Sequence, residues 1–533
     1  MRIAHRRTGR RFIVFVGTLV AAALAVAAPA GAHAGFGSGT PAFTNYVSPF
    51  TPPSSNEPSI GVDWATGAVM YQAAQNTDKV IFNDSSTPAT ATWTDVSDPT
   101  ALTTLDPILF TDNGTNRTFE SQLLVACSDM GYTDSDGAPT TTAPTGWTQS
   151  QGCGFHGAED HQTVGGGPFH APIPTLPSPV YGHAVYYCSQ DFVNGLAAFC
   201  SLSLDGGVTF TPALTRPVYT TMDCGGLHGH IRVAPDGTAY LPNQNCTTLG
   251  NGIYTNQGVV ISTTNGAAPW TIRLIPDSKP TAYSDPSVAV GAGGTVYFGY
   301  EDGGTTPTAG GGHPKIAASQ NQGQNWNASI DVGVTLTHPD GSTSPLGIQN
   351  TAFPEVIAGD DNRAAFAFLG STTGGNYQLA SFPGSWDLYV AMTYDGGASW
   401  TTVDATPNNP VQRGCVWLAG GSNVCRNMLD FNDITVDKQG RVLVAYTKGC
   451  TGACVTDPNA TNPFSAVPYI ARQSGGPGLF ANPGAPVPES HAVPLLVVGA
   501  LGVAALPVWW RRRRHNRLGY SSLGPGGSNP DHT

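Results

Sequence analysis

Carboxylate and imidazole side chains recur at the beginning of similar apolar segments along the 533-residue chain. Brought together, such groups would bind a divalent cation or form hydrogen bonds with the hydroxyls of a ligand. Calcium or magnesium suits the carboxylates, and the imidazoles of His161, His228 and His230 would together suit zinc. The candidate ligand-site residues are Glu57, Asp106, Asp160, His161, His228, His230, Asp285, Glu355 and Asp433.

The same side chains could serve the fold alone, by capping strand ends and bridging neighbouring elements. His228 and His230 are alternate residues, so on one strand they point to the same face. Whether the candidates form a site depends on whether the fold brings their segments together.

Each candidate stands at the start of a repeated unit. The unit is an alternating strand, a turn with Gly or Asn, and a second strand of β-branched and aromatic residues. The clearest copies begin at Glu57-Pro58-Ser59 and Asp285-Pro286-Ser287. Seven units begin roughly 50 to 80 residues apart, which is typical of propeller blades with four strands each.

The sequence therefore predicts an all-β, seven-bladed β-propeller, with six blades as the alternative because the first two units are the least regular. First strands line the central channel of a propeller, so the candidates would surround one channel mouth at a single phase of the repeat. We expect residues 41–50 to close the circle by completing the last blade, which removes an exposed edge.

A second repeat follows the strand pairs and reads [Ser/Thr]-x-[Asp/Asn]-x-Gly-x-x-[Trp/Phe]. The Asp or Asn side chain can accept hydrogen bonds from backbone amides of a turn, Gly adopts positive φ, and the aromatic ring packs on the sheet. Two weaker copies run from Thr133 to Gly137 and from Ser262 to Gly266. The structural residues of the three complete copies are Ser203, Asp205, Gly207, Phe210, Ser319, Asn321, Gly323, Trp326, Thr393, Asp395, Gly397 and Trp400.

This pattern resembles the Asp-box, or bacterial neuraminidase repeat, of sialidase-like β-propellers of bacterial cell surfaces. The resemblance implies a propeller in which the Asp-box turns are structural, since the motif occurs in propellers of many functions. A sialidase also needs three arginines, an aspartate acid/base and a tyrosine–glutamate pair. Glu57-Pro58-Ser59 stands where the first arginine is expected, and Arg232, Arg413 and Arg426 are the best remaining candidates. Sialidase activity is therefore not expected.

Three functions remain open. The preferred one is binding of an extracellular ligand, a carbohydrate or a protein, at the channel mouth. The second is a glycoside hydrolase of the sialidase-like superfamily that uses two carboxylates of the ring as acid and base or nucleophile. The third is a structural cell-envelope protein without a small ligand.

The two ends predict export and anchoring. Residues 1–34 have five arginines, an apolar run and a small-residue cleavage site, as in a signal peptide. Residues 35–482 form the propeller, 483–490 a Pro-rich stalk, 491–510 a transmembrane helix, and 511–533 a cytoplasmic tail that begins with four arginines. The stalk, helix and arginine run also resemble signals processed by sortase-like enzymes, so cleavage of the anchor is an alternative to retention. Either way the propeller is exported to the cell surface.

Ten cysteines lie between the two ends, and an even number in an exported chain predicts disulfides. Sequential pairing is the simplest scheme, because neighbouring cysteines fall within single blades or loops. The predicted pairs are Cys127–Cys153, Cys188–Cys200, Cys224–Cys246, Cys415–Cys425 and Cys450–Cys454.

The charge of the exported segment limits its partners. Residues 35–482 carry 14 Lys and Arg against 34 Asp and Glu. A surface this acidic repels phosphate backbones and favours cations or neutral ligands, so we expect no nucleic-acid partner.

Overall fold

The computed structural model describes residues 38–482, apart from 51–55, 103–105, 125–126, 151–158, 194, 212–216, 268–269, 282–283 and 304–311. The predicted signal peptide, stalk, anchor and cytoplasmic tail lie outside the described residues and stay predictions. Among the residues that are described, no helix has the length and apolar character needed to cross a membrane.

Strand pairing produces seven antiparallel sheets, the blades, which are numbered here in chain order of their innermost strands. The N-terminal strand β1 (Ala42–Val47) belongs to the last blade. Blade 1 contains β2 (Ser59–Val62), β3 (Val69–Ala73), β4 (Asn76–Asn83) and β5 (Thr90–Asp95). Blade 2 contains β6 (Pro107–Asp112), β7 (Arg117–Leu124), β8 (Cys127–Thr133) and β9 (Thr148–Gln149). Blade 3 contains β10 (Glu159–Pro168), β11 (His183–Asp191) and β12 (Ala197–Ser203).

The remaining four blades follow the same order from the channel outward. Blade 4 contains β13 (Cys224–His228), β14 (Arg232–Val233), β15 (Ala239–Cys246), β16 (Asn256–Ser262) and β17 (Thr271–Leu274). Blade 5 contains β18 (Ser287–Val290), β19 (Val296–Asp302), β20 (His313–Ser319) and β21 (Ile330–Asp331). Blade 6 contains β24 (Asn350–Ala358), β25 (Ala364–Ser371), β26 (Ser385–Thr393) and β27 (Thr401–Asp404), with β28 (Gln412–Arg413) beside β26. Blade 7 contains β29 (Asp433–Val436), β30 (Val442–Lys448), β31 (Val467–Gly475) and β1.

The connections add three short elements. A hairpin of β22 (Thr335–Thr337) and β23 (Thr343–Pro345) joins blades 5 and 6 and contacts β27. A 3-10 helix, Val424–Arg426, precedes blade 7, and α1 (Ala453–Thr456) follows β30.

The innermost strands form a closed circle. β2 contacts β6, and the contacts continue in order through β10, β14, β18, β24 and β29 back to β2. β1 pairs antiparallel with β31 and so completes blade 7 with residues from the other end of the chain. The seven-bladed count and the closing strand are confirmed, and the six-bladed alternative is wrong.

Apolar side chains from facing sheets fill the space between neighbouring blades. Val356 and Phe366 of blade 6 pack with Tyr297 of blade 5, and all three are fully buried. Gly299 of blade 5 faces the same layer, where an added Cβ would lie 2.4 Å from Val356 Cγ2. Only glycine fits such a close approach, so the blades interlock through side-chain size as well as apolar character.

Four of the five predicted disulfides are present. Cys188 and Cys200 are paired residues of β11 and β12, and Cys224 and Cys246 are paired residues of β13 and β15. The other two are Cys415–Cys425 and Cys450–Cys454. Cys153 lies outside the described residues, so its pairing with Cys127 stays a prediction. Four disulfides are typical of an exported protein.

The octapeptide turns connect third to fourth strands in blades 5 and 6 and follow the third strand of blade 3. In the copy at 203–210, Ser203 Oγ accepts a hydrogen bond from the Gly207 amide at 2.8 Å, and Asp205 accepts one from the Thr209 amide at 2.9 Å. The copies at 319 and 393 repeat both bonds. The weaker copies keep only the bond to glycine, from Gly137 to Thr133 and from Gly266 to Ser262.

Successive strands of a blade run in opposite directions. A turn after a third strand therefore lies at the end of the sheet opposite to the start of the first strand. The octapeptide turns and the candidate site residues consequently occupy opposite faces of the propeller.

Candidate functional site at the channel mouth

Hydrogen bonds between neighbouring blades show which channel-lining residues occupy equivalent positions in different blades. The amides of Ile60, Ile231 and Val356 each donate to a side chain of the preceding blade. The acceptors are Asp433 Oδ2 at 2.9 Å, Thr163 Oγ1 at 3.0 Å and Ser287 Oγ at 3.0 Å. Equivalent positions in different blades follow from these shared bonds.

The candidates fall into two layers rather than the single ring that the sequence predicted. The outer layer, nearer the mouth, contains Glu57, His161, His228 and Asp285. The inner layer lies two residues farther along each strand and contains His230, Glu355 and Asp433. Alternate residues on one strand share a face, so both layers line the channel. Asp160 stands one residue before His161 and belongs to neither layer; both Asp160 and Asp106 interact electrostatically with His161 at the same mouth.

The outer layer is built on unusual backbone geometry. Glu57 and His161 have positive φ values of 52° and 54°, and the equivalent Phe353 has 55°. A register shift interrupts the strand pairing beside His161 and again beside Phe353. Non-glycine residues adopt this conformation at a cost, and it is over-represented at functional sites.

His161 and Asp285 form an ion pair across the channel, between blades 3 and 5. His161 Nε2 bonds to Asp285 Oδ2, and both side chains are 10% exposed. Burial lowers the pKa of His161, but Asp285, Asp106 and Asp430 together raise it to about 10, so the imidazole is charged at neutral pH. Asp285 also accepts a 3.4 Å hydrogen bond from Gln244 Nε2.

His228 occupies the same layer beside this pair. Its ring centroid lies 5.9 Å from that of His161. Burial, followed by repulsion from His161, lowers the pKa of His228 to about 3, so this imidazole is neutral. At neutral pH, His161 is therefore charged and its neighbour His228 is neutral.

Glu57, Asp106 and Asp160 lie at the outer edge of the mouth, near Arg426 and Asp430. Arg426 is one of the arginine candidates from the sequence. Arg426 makes a bidentate ion pair with Asp430, at 2.5 and 2.6 Å. Glu57 accepts a 3.2 Å hydrogen bond from the Asp430 amide and is fully buried. Burial and repulsion from Asp106 and Asp430 raise the pKa of Glu57 well above its usual value.

Asp106 and Asp160 are half-buried at the same edge. Burial raises the pKa of Asp106 to about 6, although His161 lowers it. Repulsion from Asp160 and Asp430 also raises this pKa, and Arg426 lowers it. Burial also raises the pKa of Asp160, which interacts with the same His161, Asp430 and Arg426. These mutual interactions place the five side chains in one neighbourhood.

The inner layer brings together three residues from blades 4, 6 and 7. His230 Nδ1 lies 3.8 Å from Glu355 Oε1 and 3.8 Å from Asp433 Oδ1. Arg232 NH2 approaches Asp433 Oδ1 at 3.4 Å. Burial raises the pKa of Glu355 to about 7, although His230 lowers it.

The three histidines that the sequence suggested for zinc do not form one group. In the described part of the chain, the set of three potential ligand side chains within reach of one ion is His230, Glu355 and Asp433. His161 and His228 belong to the outer layer.

The sequence reasoning missed Asp430 and Gln244, which touch the site from outside the first strands. Asp430 comes just before blade 7, and Gln244 lies on the second strand of blade 4. Their only signal in the sequence is closeness to Asp433 and to Cys246. Arg413, another arginine candidate, donates a 2.8 Å hydrogen bond to Cys454 O, whereas Arg232 contacts Asp433 and Arg426 pairs with Asp430.

Comparison with known proteins supplies fold likeness only. No protein-family model and no curated protein matches the chain. An ulvan lyase of polysaccharide lyase family 25 is 10% identical, with 80% of this chain and 96% of that chain covered and a TM-score of 0.41. An α-L-arabinofuranosidase from Fusarium graminearum is 10% identical, with 82% and 97% covered and a TM-score of 0.35.

A sialidase from Trypanosoma rangeli is 11% identical, with 80% of this chain and 59% of that chain covered and a TM-score of 0.33. Similarity this remote transfers no residue role to this chain. The strand pairing of the chain itself establishes that it is a seven-bladed β-propeller.

Proposed function

We propose that this protein is an exported, membrane-anchored propeller of the sialidase-like, Asp-box type that binds an extracellular carbohydrate at the channel mouth. The observation that carries the proposal is the group of half-buried polar side chains at the outer edge, Asp106, Asp160, His161, Asp430 and Arg426. They offer carboxylate acceptors beside charged donors, which is what recognition of sugar hydroxyls requires.

Apolar side chains on the same face support a sugar ligand. Phe192 is 53% exposed in the connection between β11 and β12, and Met222, just before β13, is 50% exposed. Ile253, between β15 and β16, is 67% exposed. These connections lie at the mouth end of blades 3 and 4, because second strands run back toward the starts of first strands. Apolar groups on the same face as convergent polar ones are typical of a small-molecule site.

Charge favours a neutral glycan over an acidic one. Arg426 is engaged by Asp430, Arg232 faces the carboxylates of Glu355 and Asp433, and the surrounding residues are acidic, so a ligand carboxylate would be repelled. A hydroxyl-rich, uncharged carbohydrate meets no such repulsion.

A glycan array probed with the full-length protein in detergent tests the proposal. We expect neutral glycans to bind, and we expect Asp160→Ala to weaken that binding at least about 10-fold through loss of a charged hydrogen-bond acceptor. Asp134→Asn is the matched control, since this exposed carboxylate pairs with Arg117 at the opposite face. Absence of glycan binding, or equal losses in both variants, would favour a structural envelope protein.

A second candidate function is glycoside hydrolysis, and one observation favours it. Asp106 combines partial exposure with a pKa raised to about 6 by burial, as a general acid requires, and Asp160 lies in the same neighbourhood. Chromogenic glycosides distinguish the two functions. A hydrolase would lose turnover in Asp106→Asn while keeping its substrate affinity, and a binding protein would show no turnover in the wild type.

A further inference from the structure

The inner layer contains a compact set of potential metal ligands. One atom from each of His230, Glu355 and Asp433 lies within 4.8 Å of the other two, and the three residues are 7%, 4% and 3% exposed. They come from blades 4, 6 and 7, so the fold gathers them across the channel from distant parts of the chain.

His230 Nδ1 is buried and has no hydrogen-bond partner among the described residues. It points between the two carboxylates, and its 3.8 Å separation from each is too long for a hydrogen bond. A buried polar atom without a partner is costly in a folded protein. A cation between the three atoms would satisfy it.

Each carboxylate is oriented by its other oxygen. Ser287 Oγ donates to Glu355 Oε2 at 2.9 Å, and the Ile60 amide donates to Asp433 Oδ2 at 2.9 Å. Glu355 Oε1 and Asp433 Oδ1 are the oxygens nearest to His230 Nδ1, at 3.8 Å each. Outer partners of this kind are what holds metal ligands in place.

We propose that His230, Glu355 and Asp433 bind one zinc ion that ties blades 4, 6 and 7 together across the channel. One imidazole nitrogen with two carboxylate oxygens suits zinc, whereas calcium takes six to eight oxygen ligands. Ligand atoms on a tetrahedral zinc lie about 3.4 Å apart, given bond lengths of about 2.0 to 2.1 Å. The two observed separations of 3.8 Å need only a small contraction.

Arg232 is the competing cation. Its NH2 lies 3.4 Å from Asp433 Oδ1, which also accepts the Ile434 amide at 2.8 Å. Charge-assisted hydrogen bonds are about 2.7 to 2.9 Å long, so the guanidinium is not tightly bound there. Two carboxylates against one guanidinium leave net negative charge for the ion to balance. The proposal concerns the inner layer and does not depend on carbohydrate binding.

The test uses the full-length protein in detergent, stripped with a chelator and titrated with zinc. We expect one zinc per chain by calorimetry and elemental analysis, a melting temperature raised by a few degrees, and little competition from calcium or magnesium. Glu355→Gln should weaken zinc binding at least about 100-fold, because even outer-shell changes cost 10- to 100-fold. His230→Gln should do the same.

Two further variants locate the ion. His228→Gln, which removes the neutral imidazole of the outer layer, should leave zinc affinity unchanged; a loss equal to that of His230→Gln would overturn the proposal. Arg232→Gln should tighten zinc binding, because it removes the competing charge, and unchanged affinity would place the ion elsewhere. Tryptophan fluorescence of each zinc-free variant separates loss of binding from loss of folding. A wild type without stoichiometric zinc also overturns the proposal.

Discussion

Carboxylates at the two faces of the propeller have pKa values that are shifted in opposite directions. Asp205 and Asp395, in the octapeptide turns, each accept a backbone amide, and hydrogen bonds from Thr209 and Ser399 outweigh slight burial and lower their pKa values. At the mouth, burial dominates and raises the pKa values of Glu57, Asp106 and Glu355. Recurrence alone therefore does not identify a site. A repeated acid that satisfies its own turn is structural, and one that burial forces against its neighbours is a candidate for binding.

The largest predicted effect is the loss of stability on removing the His161–Asp285 ion pair of the outer layer. His161→Ala leaves Asp285 buried opposite an empty position, and removing one partner of a buried pair costs about 3 to 5 kcal/mol. We expect the denaturant midpoint to fall accordingly, and adding Asp285→Asn should restore part of the loss. A change of less than about 1 kcal/mol in His161→Ala would mean that the pair is not a buried charge interaction.

The pH dependence of stability should also differ between buried and turn carboxylates. Burial raises the pKa of Glu120, a fully buried side chain beside Thr77, to about 8. The folded chain then holds a proton that the unfolded chain has lost, so the free energy of unfolding falls as pH rises from about 4.5 to 8. His228, with a lowered pKa of about 3, acts oppositely below pH 6.5.

Glu120→Gln should reduce the fall in the free energy of unfolding between pH 5 and pH 8. The reduction is a few kcal/mol at most, since one pKa unit corresponds to about 1.4 kcal/mol. Thermal unfolding at pH 5, 6.5 and 8 measures it. Asp395→Asn is the matched control, because a lowered pKa gives stability that is lost only as pH falls toward acid. Equal slopes in wild type and Glu120→Gln would contradict the assignment.

Removal of a turn carboxylate should have a smaller effect, confined to stability. Asp395→Ala removes the acceptor of the Ser399 amide at 2.9 Å and of the Ser399 hydroxyl at 2.6 Å. We expect a loss of about 1 to 2 kcal/mol, as for helix caps of similar geometry, with unchanged affinity for glycan and zinc. Asp340→Ala, at the exposed tip of the β22–β23 hairpin, should cost less, and impaired ligand binding in Asp395→Ala would break the distinction between the two faces.

The sequence predicts the fold well because propeller repeats are local. Strand, turn and strand lie within one unit, so Glu57-Pro58-Ser59 and Asp285-Pro286-Ser287 identify equivalent first strands without any long-range information. The octapeptide turns are equally local, since Ser203 and Asp205 bond within four residues. Pairing of Cys188 with Cys200 follows for the same reason.

The site is less predictable because its layers depend on register. The repeat in the sequence puts Asp285 and Glu355 both at strand starts, but Glu355 lies within β24, and a two-residue difference in register puts the first in the outer layer and the second in the inner one. Positive φ at His161 and a register shift beside it redirect the chain in a way that no side-chain pattern encodes. Contacts from Asp430 arise only after the circle closes.

The smallest predicted effect concerns the one complete turn that lacks a carboxylate. Asn321 Oδ1 accepts the Asn325 amide at 2.8 Å and takes part in a 3.0 Å hydrogen bond with Ser319 Oγ, as Asp205 does with Thr209 and Ser203. Asn321→Asp would make both bonds charge-assisted, which strengthens them, but the site is exposed and water screens the gain. We expect stability to rise by about 0.5 kcal/mol at neutral pH, measured by denaturant unfolding, and the gain to disappear below about pH 3.5, where the new carboxyl is protonated. Asn325→Asp is the matched control, because it adds the same charge without an amide to accept. Equal effects of the two substitutions would show that net charge, rather than the turn geometry, decides the result.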